Sequence, residues 1–228
     1  MNAKEAAARR AVESVQSGMV VGLGTGSTAV YAIQAIGERI LTEGLDLRGV
    51  PTSQRSEDLA RQVGIPLVDF SQVVSIDITI DGADEVGSDL TLIKGGGGAL
   101  VQEKIVASAS RQLIIICDTS KIKKTLGAYP LPIAIVRFGW QATLRKLELF
   151  GHPLTLRCNA DGSPFLSDDG LYIIDMHCGE ISEPRKYERA INEIVGVSEV
   201  GLFVGLATSV IVGHDDGMVE TLLPPNAY

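Results

Sequence analysis

Met19-Val20-Val21-Gly22-Leu23-Gly24-Thr25-Gly26-Ser27-Thr28 runs from an apolar segment into a glycine-rich turn and on into helical spacing. Met19 to Leu23 reads as a buried strand, and Val30, Ile33, Ile36, Ile40 and Leu41 give Ser27 to Leu41 one apolar helical face. Strand, tight turn and helix in that order open a βα unit, and the same alternation continues outward. Upstream, Ala7, Ala8, Ala11, Val12 and Val15 recur at helical spacing. Downstream, the pattern predicts a strand at Leu47 to Val50, a helix at Ser56 to Val63, and strands at Leu67 to Phe70 and Ile76 to Ile80. A helix at Ala99 to Ser110 and a buried strand at Leu113 to Cys117 follow.

Repeated βα units predict an α/β fold built on a doubly wound, Rossmann-like parallel sheet. After Tyr129 the texture changes. Pro130 and Pro132 mark a break, and a strand (Ile133 to Phe138), a helix (Trp140 to Phe150), a strand (Leu154 to Arg157), a hairpin around Asp168-Asp169-Gly170 and a helix (Arg185 to Val195) follow. That order predicts a second, smaller α+β subdomain of ferredoxin-like type over residues 130–200, acting as a lid or interface. Val200 to Val212 then returns toward the first sheet, so residues 1–129 and 201–228 form the Rossmann-like catalytic domain.

Composition excludes several classes. The chain of 228 residues is 45% apolar, enough to bury a substantial core. Its net charge of −8 disfavours nucleic acid or an anionic membrane as partner. Apolar runs such as Leu113 to Cys117 fall well short of the roughly 20 residues a membrane span needs. The N-terminal stretch carries no secretory signal pattern, so a cytoplasmic location is expected. Cys117, Cys158 and Cys178 form no CxxC pair, and His152, His177 and His214 lie far apart, so neither a disulfide framework nor a metal site is expected.

An acidic chain that binds an anion must gather positive groups locally, and loops at the carboxyl ends of parallel strands are the place to look. The Gly22 to Thr28 turn offers backbone N–H groups and hydroxyls at a helix N-terminus. Ser27 stands where a dinucleotide fingerprint needs glycine, the next strand ends in Pro51-Thr52-Ser53 without an acidic residue, and the lysine of a P-loop is missing. The phosphate of a small substrate fits better, against the plainer alternative of a turn whose glycines serve sterics alone. Asp81-Gly82-Ala83-Asp84-Glu85 places three carboxylates within five residues, where mutual repulsion suits groups that exchange protons with hydroxyls. Alone, it would read as a solvated Asp-Gly turn. Lys94-Gly95-Gly96-Gly97-Gly98 tips that balance, because four glycines in a row lose much entropy on ordering and so argue for close approach to a ligand or oxyanion. Glu103 follows one turn into the next helix, and Asp118-Thr119-Ser120-Lys121 adds a second lysine after another buried strand.

These segments, in this order and spacing, resemble those of the A-type ribose-5-phosphate isomerases, and the likeness extends through Asp175-Met176-His177-Cys178-Gly179-Glu180-Ile181 and Gly201-Leu202-Phe203. The resemblance implies an aldose–ketose isomerase of the non-oxidative pentose phosphate pathway. Such an enzyme interconverts D-ribose 5-phosphate and D-ribulose 5-phosphate through an enediolate, without cofactor or metal, as a homodimer or tetramer. It implies that Glu103 moves the proton between C1 and C2, and that Asp81 and Asp84 act in ring opening and on the hydroxyl protons. Lys94 with Gly95, Gly96 and Gly97 would stabilise the enediolate oxygen. Gly82 and Ala83 complete the family's DGAD contact, while Thr25, Gly26, Ser27, Thr28, Lys121 and Lys4 resemble its substrate and phosphate contacts. Thr119 and Cys178 depart from the family pattern beside matched positions. Other readings are a related sugar-phosphate isomerase/deaminase, an acyl-CoA transferase with a glutamate nucleophile, or a non-enzymatic sugar-phosphate sensor.

Overall fold

The computed structural model describes residues 2–225. Residue 1 and residues 226–228, assigned to the first domain by the sequence, lie outside the described residues. In chain order the strands are β1 (Val20–Leu23), β2 (Arg48–Pro51), β3 (Ile76–Asp81), β4 (Glu85–Val86), β5 (Leu92–Ile93), β6 (Ser110–Asp118) and β7 (Leu131–Ile135). They continue as β8 (Leu154–Leu156), β9 (Tyr172–Met176), β10 (Val197–Val200), β11 (Leu202–Phe203), β12 (Ser209–Gly213) and β13 (Val219–Leu222). The α-helices are α1 (Ala3–Val12), α2 (Ala29–Glu43), α3 (Gln54–Gln62), α4 (Leu100–Ser108), α5 (Trp140–Leu147) and α6 (Pro184–Asn192). The chain divides into two compact units.

The first unit comprises the residues up to Ala83, Gln102–Ile122 and those from Gly205 on. Its sheet has the order β13-β12-β6-β3-β1-β2, parallel except for β13. The chain runs β1–α2–β2 to one side and then returns to place β3 on the other side of β1. The carboxyl ends of β1 and β3 therefore flank the reversal, where doubly wound folds bind ligands. Val21, Leu23, Ile78 and Ile80 pack with Ala7, Ala8, Ala11, Ile33 and Ile36 from α1 and α2. Val20 and Ile76 pack instead with Val50 and with Val106 of α4. Burial on both faces explains why β1 reads as an apolar run, and each fully buried aliphatic side chain contributes about 1.5–3 kcal/mol of transfer free energy.

The second unit comprises Asp84–Val101 and Lys123–Val204. Its strands and helices follow the order β7-α5-β8-β9-α6-β10, and the antiparallel sheet order β10-β7-β9-β8 is that of a ferredoxin-like split βαβ motif. Leu131, Ile133, Ile135, Ile174, Met176 and Ile191 form its core. A three-stranded sheet, β11-β5-β4, belongs to the same unit.

The structure differs from the sequence expectations in five places. Leu67 to Phe70 makes only an isolated bridge between Leu67 and Gly49. There Asp69 accepts the Ser71 backbone N–H and turns the chain, as short polar side chains do. The helix expected to reach Ser110 stops at Ser108, and Ser110 already begins β6. Residues 84–101, expected with the first domain, cluster with the second because β5 pairs with β11 and the buried Glu85 carboxylate accepts the N–H groups of Gly127 and Tyr129, both at 2.7 Å. The return segment is split, with Leu202–Phe203 in the small sheet and Ser209–Gly213 inserted beside β6, and the polar edge strand β13 was not foreseen.

Candidate active site

In the first unit, the turn after β1 is tied to the end of β3. The Gly24 N–H donates to the Ile80 carbonyl at 3.0 Å. A Cβ on Gly24 would lie 2.3 Å from Asp81 Oδ1 and 2.5 Å from Asp81 Cα, so only glycine fits. Gly26 sits at φ 110°, a conformation glycine alone adopts without strain. Asp81 is buried, and its Oδ1 accepts the backbone N–H of Thr25 at 3.0 Å and that of Gly82 at 2.7 Å. The Thr25 hydroxyl lies 2.7 Å from both Thr52 Oγ1 and Ser53 Oγ. Thr52 in turn donates to the Leu23 carbonyl and Ser56 to the Ser53 carbonyl. Both donors of Thr25 are thus engaged within the protein, where they hold the turn. The Thr52–Ser53–Ser56 corner has no motif that sequence reading could catch.

Positive charge gathers at the same edge. Lys4 from α1 donates to Ser27 Oγ at 3.1 Å. Burial alone would raise the pKa of Asp118, but the Ser120 hydroxyl and amide and the charges of Lys4 and Lys121 outweigh it and hold the carboxyl below its ordinary range. Thr28, the residue before α2, is buried. Glu103 lies in the first turn of α4 and is only 5% exposed. Lys4 and Lys121 thus place positive charge near Asp118, with Lys4 on Ser27 of the turn, and Glu103 and Asp81 are carboxylates with little access to bulk water.

In the second unit, Lys94 follows β5, is 2% exposed, and places Nζ 5.5 Å from the Phe203 ring centroid. Its backbone N–H donates to the Gly201 carbonyl at 2.8 Å, which holds the lysine against the start of β11. The Gly96 N–H donates to Asp84 Oδ2 at 2.8 Å. A side chain at Gly96 would meet Asp84 Oδ1 and the Tyr129 hydroxyl, both at 2.6 Å. Burial, then the Asp84 charge, pushes the Tyr129 hydroxyl above its ordinary pKa. Gly95 and Gly98 take φ 104° and 82°, and a Cβ on Gly98 would strike the Phe165 ring at 2.5 Å. Three of the four glycines are therefore required, Gly95 and Gly98 by conformation and Gly96 and Gly98 by contact. A buried ammonium and a side-chain-free loop carrying N–H groups can stabilise a developing oxyanion.

Among the described residues, no group of three or more His, Cys, Asp or Glu side chains is arranged to hold a metal, and no helix is long and apolar enough to cross a membrane.

The ribose 5-phosphate isomerase A (phosphoriboisomerase A) family profile matches residues 48–217. The ribose-5-phosphate isomerase A of Gloeobacter violaceus is 51% identical over 226 residues, covering 98% of this chain and 97% of its own. The ribose 5-phosphate isomerase of Plasmodium falciparum superposes with TM-score 0.94 at 39% identity over 99% of this chain and 98% of that one. A D-ribose-5-phosphate isomerase solved in complex with phospho-erythronic acid superposes with TM-score 0.93 at 38% identity over 98% of this chain and all of that one. With a profile match over most of its length and half of its residues shared with a full-length relative, the chain belongs to the ribose 5-phosphate isomerase A family.

Proposed function

We propose that the protein interconverts D-ribose 5-phosphate and D-ribulose 5-phosphate by moving a proton between C2 and C1 through an enediolate. The observation that carries this reading is the buried Glu103 in the first turn of α4, directly after the Lys94–Gly98 segment of a chain in this family. An enediolate route requires a base, an electrophile for the developing oxygen charge and exclusion of water. Glu103 serves as the base. Lys94 and the Gly95–Gly97 loop meet the oxyanion, with the Gly96 N–H holding Asp84 beside it. Asp81 and Asp84, with Gly82 and Ala83 between them, handle ring opening and the hydroxyl protons. Gly26, Ser27, Thr28, Lys4 and Lys121 bind the phosphate, with Thr25 holding their turn in shape.

The relative bound to phospho-erythronic acid supports the same chemistry. Its ligand ends in a carboxylate whose two oxygens resemble the paired oxygens of a planar enediolate. The deaminase, transferase and sensor readings draw no support from relatives that share half of the residues and are named isomerases. The setting this reading implies is the non-oxidative pentose phosphate pathway, with a cytoplasmic homo-oligomer, dimer or tetramer, and a small subdomain acting as lid or interface.

The test is formation of ribulose 5-phosphate from ribose 5-phosphate in a coupled assay, run with and without a chelator and paired with C2 proton exchange in deuterated solvent. Turnover insensitive to chelator, with deuterium entering C2, is expected. A chelator-abolished reaction, or conversion without exchange and with a covalent adduct on Glu103, would overturn it.

A further inference from the structure

We infer that Arg157, which no motif marks, is a positioning residue that sets the direction of the N–H groups in the Gly95–Gly97 loop. All the groups involved belong to the second unit. Arg157 stands just after β8, and its Nη1 donates to two successive carbonyls of the loop, Gly95 at 2.9 Å and Gly96 at 3.1 Å. Its Nε donates to Asp175 Oδ2 at 2.9 Å and its Nη2 to the other oxygen, so the guanidinium is gripped as a fork. The Phe165 ring centroid lies 5.9 Å from the guanidinium carbon, and the same ring closes on Gly98. The side chains of Arg157 and Asp175 are 16% and 18% exposed.

The consequence follows from peptide planarity. In a trans peptide the C=O and N–H vectors point in opposite directions. With the Gly95 carbonyl on Arg157, the Gly96 N–H must point away from it, and it does so onto Asp84 Oδ2. With the Gly96 carbonyl also on Arg157, the next N–H, that of the exposed Gly97, is turned away from the guanidinium as well. Four glycines in sequence have no side chains to fix these planes, and Gly95 and Gly98 sit at positive φ. One cation bridging two carbonyls fixes both planes at once. A lysine in its place offers a point charge without the planar fork and cannot satisfy both carbonyls and both Asp175 oxygens.

This assignment rests on the reading that the loop meets the enediolate oxygen, and its test separates the two. Arg157→Lys and Arg157→Ala are expected to lower kcat by about 10²-fold, the scale of a misplaced oxyanion donor. KM should stay within a few fold, with inhibition by inorganic phosphate unchanged. Added guanidinium at a non-denaturing concentration should restore part of kcat to Arg157→Ala and none to Arg157→Lys. Amide hydrogen exchange in the peptide spanning Lys94 to Gly98 should quicken in both variants, and this readout is independent of any activity. Should Arg157→Ala not fold, Arg157→Lys and Asp175→Asn carry the same test, the latter with a smaller loss in kcat. Parental kcat in Arg157→Lys, a loss confined to KM or phosphate affinity, or unchanged exchange in the loop would overturn the assignment. A parental protein without isomerase activity would sink the proposed function instead, and the exchange measurement would still decide the role of Arg157.

Discussion

The backbone N–H of Thr25 donates to Oδ1 of Asp81 across 3.0 Å, joining the turn after β1 to the carboxylate that ends β3. The Thr25 hydroxyl is in turn gripped by Thr52 and Ser53, so the orientation of Asp81 depends on a corner of the sheet two strands away.

That dependence can be tested at Gly24. A methyl group there would press on the Asp81 backbone as well as its carboxylate, and no rotamer change relieves a backbone clash. Gly24→Ala should reduce kcat/KM by about 10²-fold or more, since small displacements of catalytic groups have effects of that size. The loss should persist at temperatures well below the variant's melting point. A Gly24→Ala protein with parental kcat/KM would show that Asp81 tolerates displacement.

Removing a general base typically lowers rate by about 10²–10⁴-fold, so Glu103→Gln should lose kcat on that scale while KM stays within a few fold. Asp81→Asn and Asp84→Asn should also be slow, yet retain C2 proton exchange if they act on hydroxyls. Near-parental exchange in Glu103→Gln, with exchange abolished in an aspartate variant, would transfer the role of base to the Asp81–Asp84 loop.

Lys121 lies with Lys4 close enough to Asp118 for both charges to lower its pKa. Lys121→Ala should therefore raise KM for ribose 5-phosphate far more than it lowers the melting temperature. Inorganic phosphate should inhibit the variant more weakly than the parent. Equal inhibition of the two would remove Lys121 from the phosphate site.

The cysteines should separate by reactivity. Burial, with the Asp118 charge and against that of Lys121, pushes the Cys117 thiol up to about 12, and burial raises Cys178 to about 11, whereas Cys158 is exposed. Because the thiolate is the nucleophile, a disulfide reagent at neutral pH should titrate one thiol quickly and the other two only on unfolding. The sign for stability is also set. A folded-state pKa above the ordinary thiol value leaves the native state holding more protons than the unfolded chain at alkaline pH. Stability should therefore fall as pH rises beyond the ordinary thiol range. A melting temperature flat through that range in the parent, and equal to that of Cys117→Ala, would contradict it.

The doubly wound sheet could be read from the sequence because β1 and β6 are buried on both faces and spell apolar runs, and β3 alternates isoleucines with polar residues, each ending in a chemistry-bearing loop. Leu67 to Phe70 misled because its apolar residues lie beside Asp69, whose turn-forming hydrogen bond ends the pairing after one bridge. The two-residue strands β4 and β5 are too short for any periodicity, and their place is decided by pairing with β11 more than a hundred positions later. Of the candidate residues, Asp81, Lys94 and Glu103 stand in segments whose composition announces them. Arg157, Thr52 and Ser53 do not, because an arginine at a strand end or a serine at a helix cap is ordinary until the fold shows what it holds.

The path of the chain through its two units bears on the order in which the protein can form. Residues of the second unit interrupt the first twice, at 84–101 and again at 123–204, before the chain supplies β12. That strand lies between β6 and β13, and a Cβ on its Gly213 would come within 1.8 Å of the carbonyl of Ala3, so α1 sits directly against it. During synthesis α1 can therefore pack on α2 and β6 as these form, but its contact with β12 waits for that last parallel strand. The entire ferredoxin-like unit can assemble in the interval. Such long-range closure is slow, and a ribosome stalled before Ser209 would hold a chain whose parallel sheet still lacks β12 and the face it offers to α1.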